Sequence, residues 1–358
     1  MELRDLSSLT PYVPGRGTEE VARELGVDPA DLVALSSNEN PHGPSPHAVE
    51  AVRETAPRVS AYPKASHADL TEALAEEWDV APAQVWVSPG ADGALDYLAR
   101  ATLAPGDRVL APDPGFAYYP MSARYHHGEV DTYGLERADD FAQTPETVLD
   151  AYDGHRVVYL TTPHNPTGSE MAPDDVATLA ERVDEDTLVV VDEAYGEYSE
   201  RPSAVSLLDD HENVAVTRTF SKAYGLAGLR IGYALVPAPW ADAYQRVNTP
   251  FAASEVACRA AIAALDDDDH LVRSVESARW ARAYLHDNLD ARTWESGGNF
   301  VLAAVGDAEA VAAAARRRGV IVRDCGSFGL PGCIRVSAGT REETRRAVET
   351  LNDVVVEV

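Results

Sequence analysis

The chain has 358 residues, 45% of them hydrophobic, which excludes wholesale disorder and gives length for about two domains. Thirty basic against fifty-nine acidic residues leave a formal charge of −29. A field of that sign repels phosphate backbones and anionic lipid, so no nucleic acid or membrane partner is expected. No apolar run reaches the roughly 18 residues of a membrane helix. Met1-Glu2-Leu3-Arg4-Asp5 starts no signal peptide, and the expected location is the cytoplasm. Only Lys64 and Lys222 are lysines; the other 28 basic residues are arginines. Acidic excess with so little lysine fits a halophilic protein, because salt screens the self-repulsion. Cys258, Cys325 and Cys333 are spaced too widely for a paired zinc site, so inert reduced thiols and no metal are expected.

Residues 1–30, with Pro11, Pro14 and Gly15, read as an N-terminal arm. Residues 31–250 read as a large α/β domain. Its short apolar runs at 85–87, 108–110, 157–160, 188–191, 214–216 and 231–234 predict buried strands, and 92–103 and 173–183 carry apolar residues at helical spacing. That alternation predicts a mostly parallel sheet with helices on both faces. Residues 251–358 read as a smaller α+β domain, with strands at 300–302, 320–322 and 334–336. The run Asp266-Asp267-Asp268-Asp269 reads as a solvated helix junction. Thr340 with Glu343 three residues on predicts a capped final helix.

The most informative stretch runs from Thr219 to Arg230. Lys222 follows a predicted strand, with hydroxyls at Thr219 and Ser221 and a guanidinium at Arg230. Partial desolvation at a strand end favours the neutral amine that can form a Schiff base, and the three neighbours suit a dianionic phosphate. Asp192 ends an apolar strand, where ligands of open α/β sheets bind, and suits a cationic partner such as a protonated pyridine. Tyr195, three residues on, and Asn165, on another strand-end turn, are candidate donors to the same ring. The turn Ser88-Pro89-Gly90-Ala91-Asp92-Gly93 offers backbone amides at a helix start, a site for an anion. Taken singly, Lys222 also fits a surface ion pair, Asp192 a helix cap and Asn165 a turn residue.

The order Gly90-Ala91-Asp92-Gly93, Asn165-Pro166-Thr167-Gly168, Asp192-Glu193-Ala194-Tyr195 and Ser221-Lys222 with Gly225-Leu226, Gly228-Leu229 and Arg230 resembles the fold-type I pyridoxal-phosphate aminotransferases over nearly the whole chain. That resemblance implies a pyridoxal 5'-phosphate cofactor, with Lys222 linked to it and moving the substrate's proton. Asp192 would pair with the pyridine nitrogen, Asn165 and Tyr195 with the ring oxygen, and Phe116 would stack on the ring. Ala91, Asp92, Thr219, Ser221 and Arg230 would hold the phosphate. Tyr62 would reach the phosphate of a neighbouring subunit, which implies a homodimer with shared active sites. Arg335 would bind the anionic end of a small-molecule substrate, helped by Arg323, while Tyr12 would close the site from the arm.

Within that superfamily, Leu9-Thr10-Pro11-Tyr12-Val13-Pro14-Gly15 and Ser37-Asn38-Glu39-Asn40-Pro41-His42-Gly43-Pro44-Ser45-Pro46 resemble the histidinol-phosphate aminotransferases. The implied reaction is transamination of histidinol phosphate with 2-oxoglutarate. Three positions depart from the usual pattern: Gly93 for a glutamate, His164 for an asparagine, and Phe116 for a tyrosine or tryptophan. A threonine-phosphate decarboxylase and an aromatic or other amino-acid aminotransferase are the alternatives within the fold. A non-catalytic cofactor-sensing domain of a regulator is the alternative from another class. About thirty residues before the fold and a charge of −29 argue against it.

Overall fold

The computed structural model describes Leu6, Leu9, Gly15 and residues 17–357; Tyr12 lies outside the described residues. The strands in chain order are β1 (Val33–Leu35), β2 (Val85–Ser88), β3 (Arg108–Asp113), β4 (Glu129–Gly134), β5 (Val157–Thr161), β6 (Leu188–Asp192), β7 (Val214–Thr219), β8 (Gly232–Leu235), β9 (Arg292–Thr293), β10 (Phe300–Ala304), β11 (Val320–Asp324) and β12 (Cys333–Ser337).

Seven of them form a sheet in the order β2-β8-β7-β6-β5-β3-β4. Four of its six pairings are parallel; only β8 runs against its neighbours β2 and β7. The apolar runs of β5 and β6 are buried on both faces, and alternate residues enter two different cores. Val158, Leu160, Val189 and Val191 pack with Leu70, Leu74, Val176 and Leu179 of helices on one face. Val157, Tyr159, Leu188 and Val190 pack with Leu95, Leu98 and Ala123 on the other. A parallel strand covered on both sides needs continuous apolar sequence for this reason.

The second sheet has the order β1-β11-β12-β10-β9. It is backed by the helices Asp268–Asn288, Ala308–Arg317 and Arg341–Glu357, through Leu285, Val311, Val348 and Leu351. One of its strands comes from early in the chain. Val33–Leu35, inside the segment read as the large domain, pairs in parallel with Val320–Val322. The arm also contains structure, because the helix Thr18–Leu25 packs Val21 and Ala22 against Leu32 and Ile321. At the far end, Thr340 and Glu343 make both bonds of the expected capping box. The aspartate run is the junction of two helices, with Asp267 capping the second through the amide of His270. All three cysteines are buried and free. Among the described residues, no helix is long and apolar enough to cross a membrane.

Candidate active site

In the seven-stranded sheet the C-terminal ends of β2, β3, β5, β6 and β7 share one edge, the place where open α/β sheets bind ligands. A cavity of about 250 Å³ opens there and reaches across to the second sheet. Of the fourteen side chains and turns singled out in the sequence, twelve line it: Ala91, Asp92, Phe116, Asn165, Asp192, Tyr195, Thr219, Ser221, Lys222, Arg230, Arg323 and Arg335. Tyr62 does not line this cavity; it is 84% exposed elsewhere, its ring 4.9 Å from that of Phe251.

One end of the cavity is built to receive an anion. The helix Gly90–Thr102 starts with Gly90 at φ +78°, which turns the amides of its first residues toward the space. Arg230, at φ +52°, brings its guanidinium 3.4 Å from the Ser221 hydroxyl and 3.3 Å from the Asp92 carboxylate. Burial pushes the Asp92 carboxyl up, and Arg230 offsets part of that. A Cβ on Gly90 would lie 2.6 Å from the Arg230 guanidinium, and one on Gly232 would lie 2.7 Å from the Ala91 amide nitrogen. Glycine at both places keeps the cradle open. Gly93 has a different cause: its Cβ would lie 2.5 Å from the ring of Pro89, which leaves no room for the glutamate common in the resembling family.

In the middle of the cavity, Lys222 is half-buried, its Nζ 3.4 Å from the carbonyl oxygen of Ser37 and 5.6 Å from the centre of the Tyr195 ring. Asp192 is buried at the end of β6. Burial pushes its carboxyl up to about 6, while the Tyr119 hydroxyl and the Ala194 amide draw it back. Tyr119 donates to one carboxylate oxygen at 2.7 Å, and the Ala194 N–H donates to the other at 3.0 Å. The Tyr119 phenol is itself held well above its ordinary range by burial, so it stays a donor. Phe116 presents its ring edge-on to Tyr119, with centroids 5.6 Å apart. Tyr119 was missed in the sequence, where it sits in a helix 73 residues from its partner.

The opposite wall carries two guanidinium groups. Arg323 and Arg335 are directly paired across the antiparallel strands β11 and β12, so their side chains leave the sheet on the same face. Both lie over the Phe328 ring, at 5.4 and 5.7 Å. Arg335 is 5% exposed and donates to the Asn165 side-chain oxygen and, at 2.8 Å, to the carbonyl of Ser36. Ile334 and Val336 point away, into the core of the second sheet. His164, next to Asn165 in the turn after β5, is fully buried, its Nδ1 2.8 Å from the Thr167 hydroxyl; burial pushes it down to about 3, so it is neutral.

A lysine nitrogen, a buried carboxylate and an anion cradle, gathered at the strand ends of an open α/β sheet, define an enzyme that works on an anionic ligand through an amine. The family model for aminotransferase class I and II matches residues 30–351, and the chain belongs to that family. It is 69% identical over 358 residues to the histidinol-phosphate aminotransferase of Haloferax volcanii, covering 100% of this chain and 99% of that one. It is 67% identical to the histidinol-phosphate aminotransferase of Haloarcula marismortui, again covering 100% and 99%. Among solved structures it is similar to the Sinorhizobium meliloti histidinol-phosphate aminotransferase in complex with pyridoxal-5'-phosphate, with TM-score 0.88, 29% identity, and coverage of 99% of this chain and 98% of that one.

Proposed function

We propose that this aminotransferase converts L-histidinol phosphate and 2-oxoglutarate to imidazole acetol phosphate and glutamate, a step of histidine biosynthesis, with pyridoxal 5'-phosphate as cofactor. The observation that carries the substrate reading is the pair Arg323 and Arg335, in register on β11 and β12 and facing one cavity. The two amino compounds that must use the site in turn end in a phosphate and a carboxylate. A planar guanidinium accepts either through two parallel hydrogen bonds. The relatives at 69% and 67% identity carry the name of this activity.

The donor set fits the cofactor. Gly90 and Gly232 keep side chains out of a cradle formed by helix-start amides, two hydroxyls and Arg230, which suits a phosphate. The buried Asp192 carboxylate suits a protonated pyridine nitrogen, because a buried charge requires a partner. When bound, pyridoxal phosphate supplies an electron sink for the pair released at the substrate's amino-bearing carbon. Lys222 provides the nitrogen nucleophile and then carries the proton to and from that carbon. Asp192 holds the ring nitrogen protonated, and Tyr119 keeps Asp192 ionised by donating to it. Asn165 and Tyr195 donate to the ring oxygen, Phe116 covers the ring, and Arg335 with Arg323 seats the substrate's anionic end. Tyr12 closes the site from the arm.

Tyr62, exposed beside Phe251, serves the cradle of a second subunit in a homodimer, and the enzyme works in a salt-rich cytoplasm. The direct test of substrate is turnover of histidinol phosphate with 2-oxoglutarate, compared with phosphothreonine and aromatic amino acids. Preference for histidinol phosphate is expected. Release of carbon dioxide from phosphothreonine, or faster turnover of an aromatic amino acid, would overturn this reading.

A further inference from the structure

We propose that Asn38 is a positioning residue for Tyr195: it fixes the direction of the tyrosine's hydroxyl so that the phenol donates its proton into the cavity. This rests on reading the cavity as a pyridoxal-phosphate site. Asn38 is 1% exposed and holds φ +54°, a left-handed conformation that asparagine tolerates better than most residues.

Its hydrogen bonds leave one orientation of the side-chain amide. The Asn38 backbone N–H donates to Ser337 Oγ at 2.9 Å, so the serine's own proton is free for another acceptor. Asn38 Oδ1 lies 2.8 Å from Ser337 Oγ and takes that proton. Were the amide turned over, Ser337 Oγ would accept from both nitrogens of Asn38 through its two lone pairs, and the buried serine's own proton would have no acceptor among the described residues. With Oδ1 on Ser337, Nδ2 faces Tyr195 Oη at 3.1 Å, and an amide NH2 donates only. The phenol oxygen therefore accepts from Asn38, and its single proton turns toward the cavity that Tyr195 lines.

The clamp belongs to the other sheet. Ser337 ends β12, and Asn299, just before β10, donates through Nδ2 to the Asn38 carbonyl at 3.1 Å. The Ala338 amide in turn donates to the Asn299 carbonyl at 2.7 Å. Tyr195, by contrast, follows β6 of the seven-stranded sheet. Asn38 thus makes the hydroxyl's direction depend on the two sheets being correctly seated.

Around Tyr195 the titratable or charged groups include Lys222 at 5.6 Å from the ring centre, Asp192 three residues before it, Tyr198 three residues after it, and Glu39, Asp92, Arg230, Arg323 and Arg335 on the same cavity. A donor to the cofactor's ring oxygen draws charge from it and lowers the pH at which the neighbouring lysine-linked nitrogen loses its proton. The test reads the pH midpoint of the bound cofactor's absorbance change in holoenzyme. Asn38→Gly, which keeps the left-handed backbone without strain, and Asn38→Asp, which offers the phenol an acceptor and turns its proton away, are each made with Tyr195 and with Tyr195→Phe. With Tyr195 present, the glycine variant is expected to raise the midpoint by about half a unit, and the aspartate variant by about one, the size of one hydrogen bond. In the phenylalanine background the glycine variant is expected to do nothing, and the aspartate variant to leave only the smaller shift of its charge. Equal shifts in the two backgrounds, or none with Tyr195 present, would overturn the proposal. A protein that takes up no cofactor at all would instead overturn the cofactor reading beneath it.

Discussion

At Asp192 two opposing effects meet. Burial at the end of β6 favours the neutral acid, while Tyr119 and the Ala194 amide hold the carboxylate, and the balance stands at about 6. An exposed aspartate titrates near 3.9. Between those values the native state keeps a proton that the unfolded chain has lost, so this group lowers stability as pH rises through the window. Above the window it leaves a deficit of about 3 kcal/mol. Asp192→Asn removes the charge with almost no change of shape. Without cofactor, the variant is expected to melt higher than the parent at pH 7.5, with the gap closing toward pH 4, in thermal unfolding at fixed salt. With cofactor, its turnover is expected to fall on the order of 10²-fold or more, since it lacks the charge proposed to pair with the ring nitrogen. A melting difference that does not change with pH, or near-normal turnover, would contradict this role. Asp192 was legible in the sequence because an apolar strand delivers it. Tyr119 was not, because its bond to Asp192 joins a helix to a strand end through space.

Among the elements, the buried strands announced themselves by runs too apolar for a surface. The strands that escaped notice are those without that signal. Residues 33–35 are only three long, and Glu129–Gly134 lies at the sheet's edge with five of its six residues wholly or partly exposed, so its sequence is mostly polar. Chain order could not show that β1 adds to β11, since that pairing joins residues nearly three hundred positions apart. A basic residue within the buried strand β7 was a visible signal left unread. Arg218 is 4% exposed, bonded to Glu193 at 2.6 Å and Glu197 at 2.7 Å, and lies 4.5 Å from the Trp78 ring centre. Glu193 follows Asp192, and Thr219 follows Arg218. The ion pairs therefore fasten the turn that carries Asp192 and Tyr195 to the strand that leads to Lys222. Gly196 is needed beside them, because a Cβ there would lie 2.8 Å from the guanidinium.

For the whole molecule, the charge of −29 makes an anionic substrate's approach depend on a few arginines set against a repelling background. Twelve of the fourteen candidate residues meet in one cavity of a single chain, and Tyr62 stands apart on the surface. In the proposed homodimer, a second subunit would bring Tyr62 to the site of its partner. Lys222→Ala and Tyr62→Ala are each expected to be nearly inactive, the first in its own site and the second in its partner's. When the two are mixed and allowed to exchange subunits, each heterodimer has one intact site, and part of the activity is expected to return. Verified exchange without any recovery would contradict the shared site.

Lys222 is the centre of the account, and the sequence makes it easy to test. The only other lysine, Lys64, is exposed and bonded to Asp69 at 2.5 Å, and it does not line the cavity. The protein is loaded with pyridoxal phosphate in high salt, reduced with borohydride, digested and mapped by mass spectrometry. The expected result is one cofactor per chain, fixed on the peptide that contains Lys222. A label on Lys64, or no label on either lysine, would contradict the account.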